Sequence, residues 1–287
     1  GEELKIVGNI PQLGDNDPEA AVPMHTQNGQ DWEVDIEFDQ LPEDKLRYNY
    51  LLIKDGQIIR SEYHLIKHQL RPSNDHNLII EDTWIDKPKI GPLYSSAFTD
   101  VWNKRDPSEE LVGTTQLELS IIEANIHPNE TLAVVGNPQE VGNREIKKAK
   151  IMNDSDFPRW RVALEYPAEP NKTLEYKYVI LNKTNYSLVE WEKGENRTWT
   201  ISQPASQNTR LIKSEVYTGF YRLPWQTAGV AVPVFSLRSE RSWGIGEFLD
   251  LKLLVDWAVS TQQRIIQILP INDTTSSNTW GDAYPYR

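Results

Sequence analysis

Residues 132–142 read Leu132-Ala-Val-Val-Gly-Asn-Pro-Gln-Glu-Val-Gly142, and residues 4–14 read Leu4-Lys-Ile-Val-Gly-Asn-Ile-Pro-Gln-Leu-Gly14. The two stretches lie 128 positions apart, because Gly136 corresponds to Gly8. The same offset, without a gap, relates further pairs of residues: Met24 and Met152, Trp32 and Trp160, Tyr48 and Tyr176, Tyr50 and Tyr178. A constant offset over this length indicates an internal repeat, so we interpret the chain as carrying two copies of one module.

Each copy of the repeat is predicted to be a β-sandwich. Residues 32–38 alternate apolar and polar side chains strictly, which is typical of a strand with one buried face, and residues 160–166 repeat the pattern less regularly. Further strands are predicted at residues 46–52 and 174–180, with Pro, Gly, Asn and Asp in the gaps. The second copy also has an opening strand at residues 116–121. The first copy begins after the corresponding point, so we expect its opening strand to be missing from this chain.

The pattern changes after the second copy. Residues 228–236 form a near-continuous apolar run, as in a buried parallel strand. Apolar residues then recur at helical spacing from 248 to 259, and residues 264–271 read as a second buried strand. A strand, a helix and a strand with short connections form a βα unit of a parallel sheet or barrel. One such unit cannot bury its own surface, so we expect only the truncated beginning of a third domain here.

These observations divide the chain into two modules, a connecting segment and a final segment. The predicted bounds are 1–85 and 114–218 for the two β-sandwiches, 86–113 for a linker between them, and 219–287 for the start of the third domain. Within the linker, Tyr94, Phe98 and Trp102 are four residues apart, so one helical turn would present them on one face. We expect that face to dock onto a neighbouring module.

Composition narrows the class of ligand. The chain has 287 residues with 30 Lys and Arg against 42 Asp and Glu, a net charge of −12, which argues against nucleic acid or an anionic membrane surface as a partner. No apolar run approaches the roughly 18 residues of a membrane span, and cysteine is absent, so we expect a cytoplasmic protein. Ten Trp and twelve Tyr in an acidic chain of mean hydropathy −0.58 favour an uncharged polar ligand with flat apolar faces, such as a sugar.

Two known families share the motifs of this chain. The second copy resembles a family 20 carbohydrate-binding module, the starch-binding domain, at residues 132–138 and 176–197, and the first copy resembles it at residues 7–14. The final segment is similar to the start of the family 77 glycoside hydrolase barrel, at residues 229–238 and 269–274. The resemblance implies a mainly β fold, with two immunoglobulin-like β-sandwich starch-binding modules followed by the first βα unit of a truncated (β/α) barrel.

The resemblance also implies a sugar site in the second copy. Trp191 corresponds to the indole on which a sugar ring stacks, with Lys177, Glu192 and Asn196 as polar partners. An exposed indole that covers the apolar face of glucose removes on the order of 50 Å² from water, or roughly 1 kcal/mol. Arg144 stands where the family has a second Trp, which argues against a clamp of two indoles. A core position for Trp191 is the alternative interpretation.

The first copy departs further from the family pattern. Asn16, Asn49 and Ser61 stand where the two Trp and the Lys are expected, so we expect this copy to have lost its main site. Trp32 and Trp160 match a Trp that some members use in a second sugar site, although each also opens a predicted core strand.

In the final segment, the resemblance makes Tyr286 a sugar platform beside the cleavage point. It also implies that Asp282 orders that loop and that Trp280 contacts glucan outside the cleft. The family's catalytic carboxylates lie on later barrel strands, so no catalytic residue is assigned and this chain alone is expected to be inactive. No metal or other cofactor is expected. His64 and His68 are four residues apart but lack an evident third ligand, and a solvated face explains them better.

The implied activity of the full-length protein is that of a 4-α-glucanotransferase. It would transfer glucosyl or maltosyl units from maltose or maltodextrin to an α-glucan acceptor such as glycogen or a starch-like polymer. The alternatives are a non-catalytic glucan-binding module protein and an α-glucan hydrolase.

Overall fold

A computed structural model describes most of the chain, namely residues 1–38, 45–70, 72, 77–105, 117–164, 171–201, 209–222 and 226–271. The chain forms two compact units, Gly1–Arg222 and Leu223–Arg287, so both copies of the repeat lie in the first unit. Among the described residues, no helix is both long enough and apolar enough to span a membrane.

The first module is built around one sheet. Its strands are β1 (Glu2–Gly8), β2 (Val22–Pro23), β3 (Leu46–Lys54), β4 (Gln57–Ser61), β5 (His68–Leu70) and β6 (Asn77–Asp82). The sheet has the order β2-β1-β3-β4, and β5 also pairs with β3. Two 3-10 helices, Pro11–Leu13 and Pro18–Ala20, connect β1 to β2.

The second module is a complete two-sheet sandwich. Its strands are β7 (Leu117–Ile122), β8 (Glu130–Gly136), β9 (Lys150–Ile151), β10 (Asn153–Asp156), β11 (Arg159–Leu164), β12 (Thr173–Asn182), β13 (Leu188–Trp191), β14 (Arg197–Thr200) and β15 (Thr209–Val216). One sheet has the order β13-β12-β8-β9, with β14 also on β12, and the other has the order β10-β11-β7-β15-β6. Fully buried side chains from both sheets, such as Leu119, Leu132, Trp160 and Tyr178, form the core between them. Two 3-10 helices, Gln139–Val141 and Ile146–Lys148, follow β8.

The repeated Gly-Asn pair has the same structural role in both modules. A Cβ atom on Gly136 would lie 2.4 Å from the carbonyl oxygen of Glu175, and one on Gly8 would lie 2.8 Å from that of Arg47. The following Asn then accepts a hydrogen bond from the backbone of the neighbouring strand, through Asn137 in the second module at 3.1 Å. The motif thus marks where two central strands approach too closely for any side chain.

The two modules share strand β6. It closes the first module in sequence, but it pairs in parallel with β15 of the second module over six residues. Leu78 and Ile80 pack against the core of the first module, and Ile79 packs against the core of the second. Arg161 also donates to the carbonyl oxygen of Gln69 at 2.7 Å across the same boundary. The modules therefore form one continuous structure.

Residues 32–38 differ from the prediction of a strand. Their burial does alternate, but the backbone forms only an isolated bridge between Glu33 and His25. The corresponding strand of the second module, β11, pairs with β7. Apart from that bridge, residues 32–38 pair with no other strand in the part of the chain that the structure describes.

The segment predicted as a linker is folded where the structure describes it. It contains a 3-10 helix, Gly91–Tyr94, and a π-helix, Ala97–Trp102. Tyr94 is buried, and Asn103 donates to the carbonyl oxygens of Ala124 and Ile126 at 3.0 and 2.8 Å. Residues 91–105 therefore contact the second module through Tyr94 and Asn103, whereas Trp102 is exposed. The domain bounds at 85, 113 and 218 stay a prediction.

The second unit contains the predicted parallel pair. Strand β16 (Gly229–Val232) pairs in parallel with β17 (Ile265–Ile268), and helix α1 (Asp250–Ser260) lies between them in sequence. A further 3-10 helix spans Val234–Ser236. The strand–helix–strand order agrees with the predicted start of a (β/α) barrel. Trp280, Asp282 and Tyr286 lie outside the described residues.

Candidate binding site

A shallow groove of about 190 Å³ lies on the outer face of the β13-β12-β8-β9 sheet. Trp191 ends β13 with 40% of its surface exposed, and Lys177 projects from β12 into the same groove. The lining residues are Val135, Gly136, Asn137, Arg144, Glu175, Tyr176, Lys177, Trp191 and Asn196. The structure therefore brings together three of the predicted site residues, namely Trp191, Lys177 and Asn196.

Hydrogen bonds fix the polar groups of the groove. The Lys177 ammonium donates to the carbonyl oxygen of Gly194 at 2.6 Å. Glu175 accepts from the amide of Asn196 through one carboxylate oxygen and from the guanidinium of Arg144, at 3.2 Å, through the other. An exposed indole with charged and amide groups around it provides an apolar platform and polar partners for hydroxyl groups.

The structure does not place Glu192 in the groove, contrary to the prediction. Its side chain is buried and its carboxylate accepts from the guanidinium of Arg197 at 3.0 Å, from the backbone N–H of Gly219 at 3.0 Å and from that of Tyr178 at 3.2 Å. With its oxygens occupied and no solvent access, it cannot contact a ligand in the groove. Its role is to hold the end of β13, and thereby Trp191, against the sandwich.

Trp160 is also placed differently from the prediction of a sugar contact. The indole is fully buried, its N–H donates to the carbonyl oxygen of Glu123 at 2.8 Å, and the Arg105 guanidinium lies 4.6 Å from the ring centroid. It is therefore a core residue and carries no sugar site. Trp32, its counterpart in the first module, is half-buried in the extended segment 32–38, and its role in binding stays a prediction.

Behind the groove lies a buried charged network. Glu215 accepts from the hydroxyls of Tyr176 and Tyr178 at 2.9 and 2.7 Å, and from Arg197 at 2.9 Å. Burial lowers the pKa of Arg197, but its bonds to Glu192 and the charge of Glu215 more than offset this and raise it above its usual range. Burial and the nearby carboxylate Glu215 raise the pKa of Tyr178, so its hydroxyl stays a donor. The network supports β12 and β13 from behind the groove.

The first module repeats this network with two replacements, Asp82 for Glu215 and His68 for Arg197. Asp82 accepts from the hydroxyls of Tyr48 and Tyr50 at 2.7 and 2.8 Å. His68 takes the place of Arg197, since its two ring nitrogens lie 3.0 Å from Glu62 and 3.2 Å from Asp82. Burial lowers the pKa of His68, but the Asp82 and Glu62 carboxylates raise it overall from 6.5 to about 9. The His68 imidazolium is thus the cation that pairs with the two carboxylates of this network.

The groove residues are not repeated in the first module. Leu51 pairs with Ser61 as Val179 pairs with Trp191, so Ser61 occupies the register position of the indole. Asn49 likewise stands opposite Val7 where Lys177 stands opposite Val135. The first module keeps the supporting network but has neither an indole at the position of Trp191 nor a lysine at the position of Lys177. Among the described residues there is no group of three side chains suited to a metal ion, and His68 is committed to the two carboxylates.

Among the polar residues of the groove, sequence reasoning missed Glu175 and Asn137. Glu175 precedes Tyr176 in an alternating strand, and that alternation does place it on the outer face with Lys177. Asn137 belongs to the repeated Gly-Asn pair, which we interpreted only as a mark of the repeat. Arg144 was recognised only as the replacement of an expected Trp, and the structure places it in the groove.

The first unit thus contains two related β-sandwich modules, and the second carries a groove with an exposed indole. The family model described as starch binding domain matches residues 1–77 and 114–211, more than half of the chain. The chain therefore belongs to the starch-binding domain family. The family model described as 4-alpha-glucanotransferase matches residues 232–287.

Curated relatives agree with both matches. The chain is 28% identical, over its full length, to 4-alpha-glucanotransferase DPE2 of Oryza sativa subsp. japonica, of which it covers 32%. It is 57% identical over 51 residues, 18% of the chain, to the 4-alpha-glucanotransferase of Chlamydia trachomatis serovar D, of which that match covers 10%. A cyclomaltodextrin glucanotransferase of Bacillus sp. is 31% identical over 38% of the chain and 16% of its own length. The chain thus spans about a third of the length of its rice relative.

Proposed function

We propose that the groove around Trp191 binds α-glucan, and that the chain forms the glucan-binding part and the first barrel unit of a 4-α-glucanotransferase. The observation that carries the binding proposal is an exposed indole whose neighbours, Lys177, Asn196 and Glu175, surround it with donors and acceptors. Sugar hydroxyls need such partners at the edge of an aromatic platform.

The chemistry of transfer is a proposal for the whole protein. A retaining transferase uses one carboxylate as nucleophile and one carboxylic acid as acid and base, about 5–5.5 Å apart. We assign neither group to this chain. Maltose or a short maltodextrin would be the donor and glycogen or a starch-like polymer the acceptor. A cytoplasmic location belongs to the same proposal, because a chain without cysteine is compatible with a reducing compartment.

The binding module would raise the local concentration of polymer at the reaction centre. A single stacked platform gives weak binding, on the order of millimolar, or about −4 kcal/mol. Weak contacts are useful on a polymer, because many identical segments return to the same site. The first module, which lacks the platform, would contribute support through β6.

Electrophoresis of this chain in native gels that contain a polysaccharide tests the binding proposal. We expect mobility to fall several-fold with dissolved glycogen or amylopectin and to stay unchanged with hydroxyethyl cellulose, whose sugars are joined by β-linkages. Equal retardation in the α- and β-glucan gels, or none in either, would contradict the assignment. For the activity, the whole protein with maltose and glycogen should release glucose without a gain in reducing ends. A gain would favour a hydrolase.

A further inference from the structure

Arg144 places a positive charge in the groove. Its side chain is 69% exposed, and the one hydrogen bond that the structure shows from it runs to Glu175 at 3.2 Å. A guanidinium has five N–H donors in a planar fork that fits the oxygens of phosphate or carboxylate. Most of that fork faces solvent beside the Trp191 platform.

The chain segment that carries Arg144 is basic in an otherwise acidic protein. Residues 144–150 contain Arg144, Lys147, Lys148 and Lys150 against Glu145 alone. The corresponding segment of the first module, residues 16–22, contains Asp17 and Glu19 and no Lys or Arg. The net charge of this segment is therefore positive in the second copy and negative in the first, and the second copy is the one with the exposed indole. The whole chain carries a charge of −12, so the local excess is not a general property of its surface.

The cations of the groove outnumber its anions. Glu175 is occupied by Asn196 and Arg144, whereas Lys177 donates to a neutral carbonyl oxygen, that of Gly194. The groove is thus lined by two positive side chains and one negative one. A neutral sugar needs hydrogen-bond partners but gains nothing from this excess charge.

We propose that the groove prefers an α-glucan that carries a phosphate monoester. One glucose ring stacks on Trp191, and the phosphate on that glucose or the next one lies against the guanidinium of Arg144, with Lys177 and the basic segment adding attraction. The proposal rests on glucan binding at Trp191 and specifies the chemical class of the chain that is bound. An exposed charged contact of this kind contributes modestly and weakens with salt.

The combination of features favours this ligand over other polyanions. Nucleic acid binding needs a basic surface that follows several phosphates, whereas this groove offers two cations beside one short basic segment of an acidic chain. The indole beside it provides the flat platform that a sugar ring uses. A polymer of glucose with sparse phosphate groups matches both features at once.

Calorimetric titration with two maltodextrins tests the proposal. One is neutral, and the other has the same length and carries one phosphate monoester at C6 of a glucose. At low salt we expect about fivefold tighter binding of the phosphorylated chain, falling towards equal binding at 0.5 M salt. In Arg144→Gln the ratio of the two affinities should fall to about one, whatever happens to the affinity for the neutral chain. Arg47→Gln, an exposed arginine on β3 at the position that corresponds to Glu175, is the matched control and should keep the preference.

The outcomes separate this proposal from glucan binding itself. Equal affinity of the unaltered chain for both dextrins would overturn the phosphate preference and leave the Trp191 site intact. Binding of neither dextrin would overturn the proposed function. Equally tight binding of a single-stranded oligonucleotide and the phosphorylated dextrin would show a nonspecific polyanion surface and also overturn the proposal.

Discussion

Substituting Arg197→Leu is expected to lower the free energy of unfolding of the first unit by about 3 kcal/mol or more. Arg197 is the cation between two carboxylates, Glu192 and Glu215, whose side chains are 3% and 11% exposed. Removing it leaves two carboxylates in the sandwich without a cationic partner, and a buried charge that lacks a counter-charge is far more costly than a lost surface contact. Urea unfolding followed by tryptophan fluorescence measures the change.

Arg144→Ala is the matched control for this substitution. It removes an arginine of the same module whose carboxylate partner, Glu175, is one-third exposed. Its effect should stay within about 0.5 kcal/mol, as for most surface positions. A loss for Arg197→Leu no larger than for Arg144→Ala would contradict the assignment of Glu192 and Glu215 to a buried network. A double substitution of Arg197→Leu with Glu192→Gln should recover part of the stability.

Raising the pH from about 6.5 to above 9 is expected to destabilise the first unit by on the order of 3 kcal/mol. The pKa of His68 is about 9 in the folded chain, against 6.5 for the free side chain. The folded state therefore holds a proton that the unfolded state releases first. The stabilisation is fully present below pH 6.5 and is lost as the pH rises through 9.

The groups that face His68 define the expected pH response. Glu62 and Asp82 flank the ring, Tyr48 stacks on it with a centroid distance of 5.1 Å, and Tyr50 contacts its edge. Burial and the charge of Asp82 raise the pKa of both tyrosines, so they do not ionise in this window. Arg159 of the second module lines the same small cavity as His68 and Asp82.

His68→Gln should flatten the dependence of the unfolding midpoint on pH between 6.5 and 9, at the cost of lower stability at pH 6.5. His64→Gln removes an exposed histidine four residues away and should leave the slope unchanged. A slope that persists in His68→Gln would show that another group controls it. Unfolding midpoints at several pH values make the comparison.

Much of the fold could be predicted from the sequence, because its causes are local or repeated. The offset that links Gly8 to Gly136 reflects a close approach of strands that tolerates no side chain in either module. The apolar runs on either side of α1 are typical of buried parallel strands, and β16 and β17 do pair in parallel. The exposure of Trp191 followed from its charged neighbours in the sequence.

The remaining features depend on contacts that no local pattern encodes. Glu192 has the same sequence context as Trp191, but strand alternation directs its carboxylate inward, where it accepts a hydrogen bond from Arg197. The sharing of β6 depends on pairing between residues over 130 positions apart, as Lys213 and Glu81 show. Residues 32–38 have a perfect strand pattern and no strand, because a ladder needs a partner.

The central claim is that one exposed indole, on the second module, carries glucan binding. Titration of maltoheptaose into Trp191→Ala and Trp32→Ala, each compared with the unaltered chain, tests it most directly. We predict about fivefold weaker binding for Trp191→Ala, since the apolar platform of roughly 1 kcal/mol is removed, and a change of less than twofold for Trp32→Ala. Unchanged affinity in Trp191→Ala, or a loss confined to Trp32→Ala, would contradict the account.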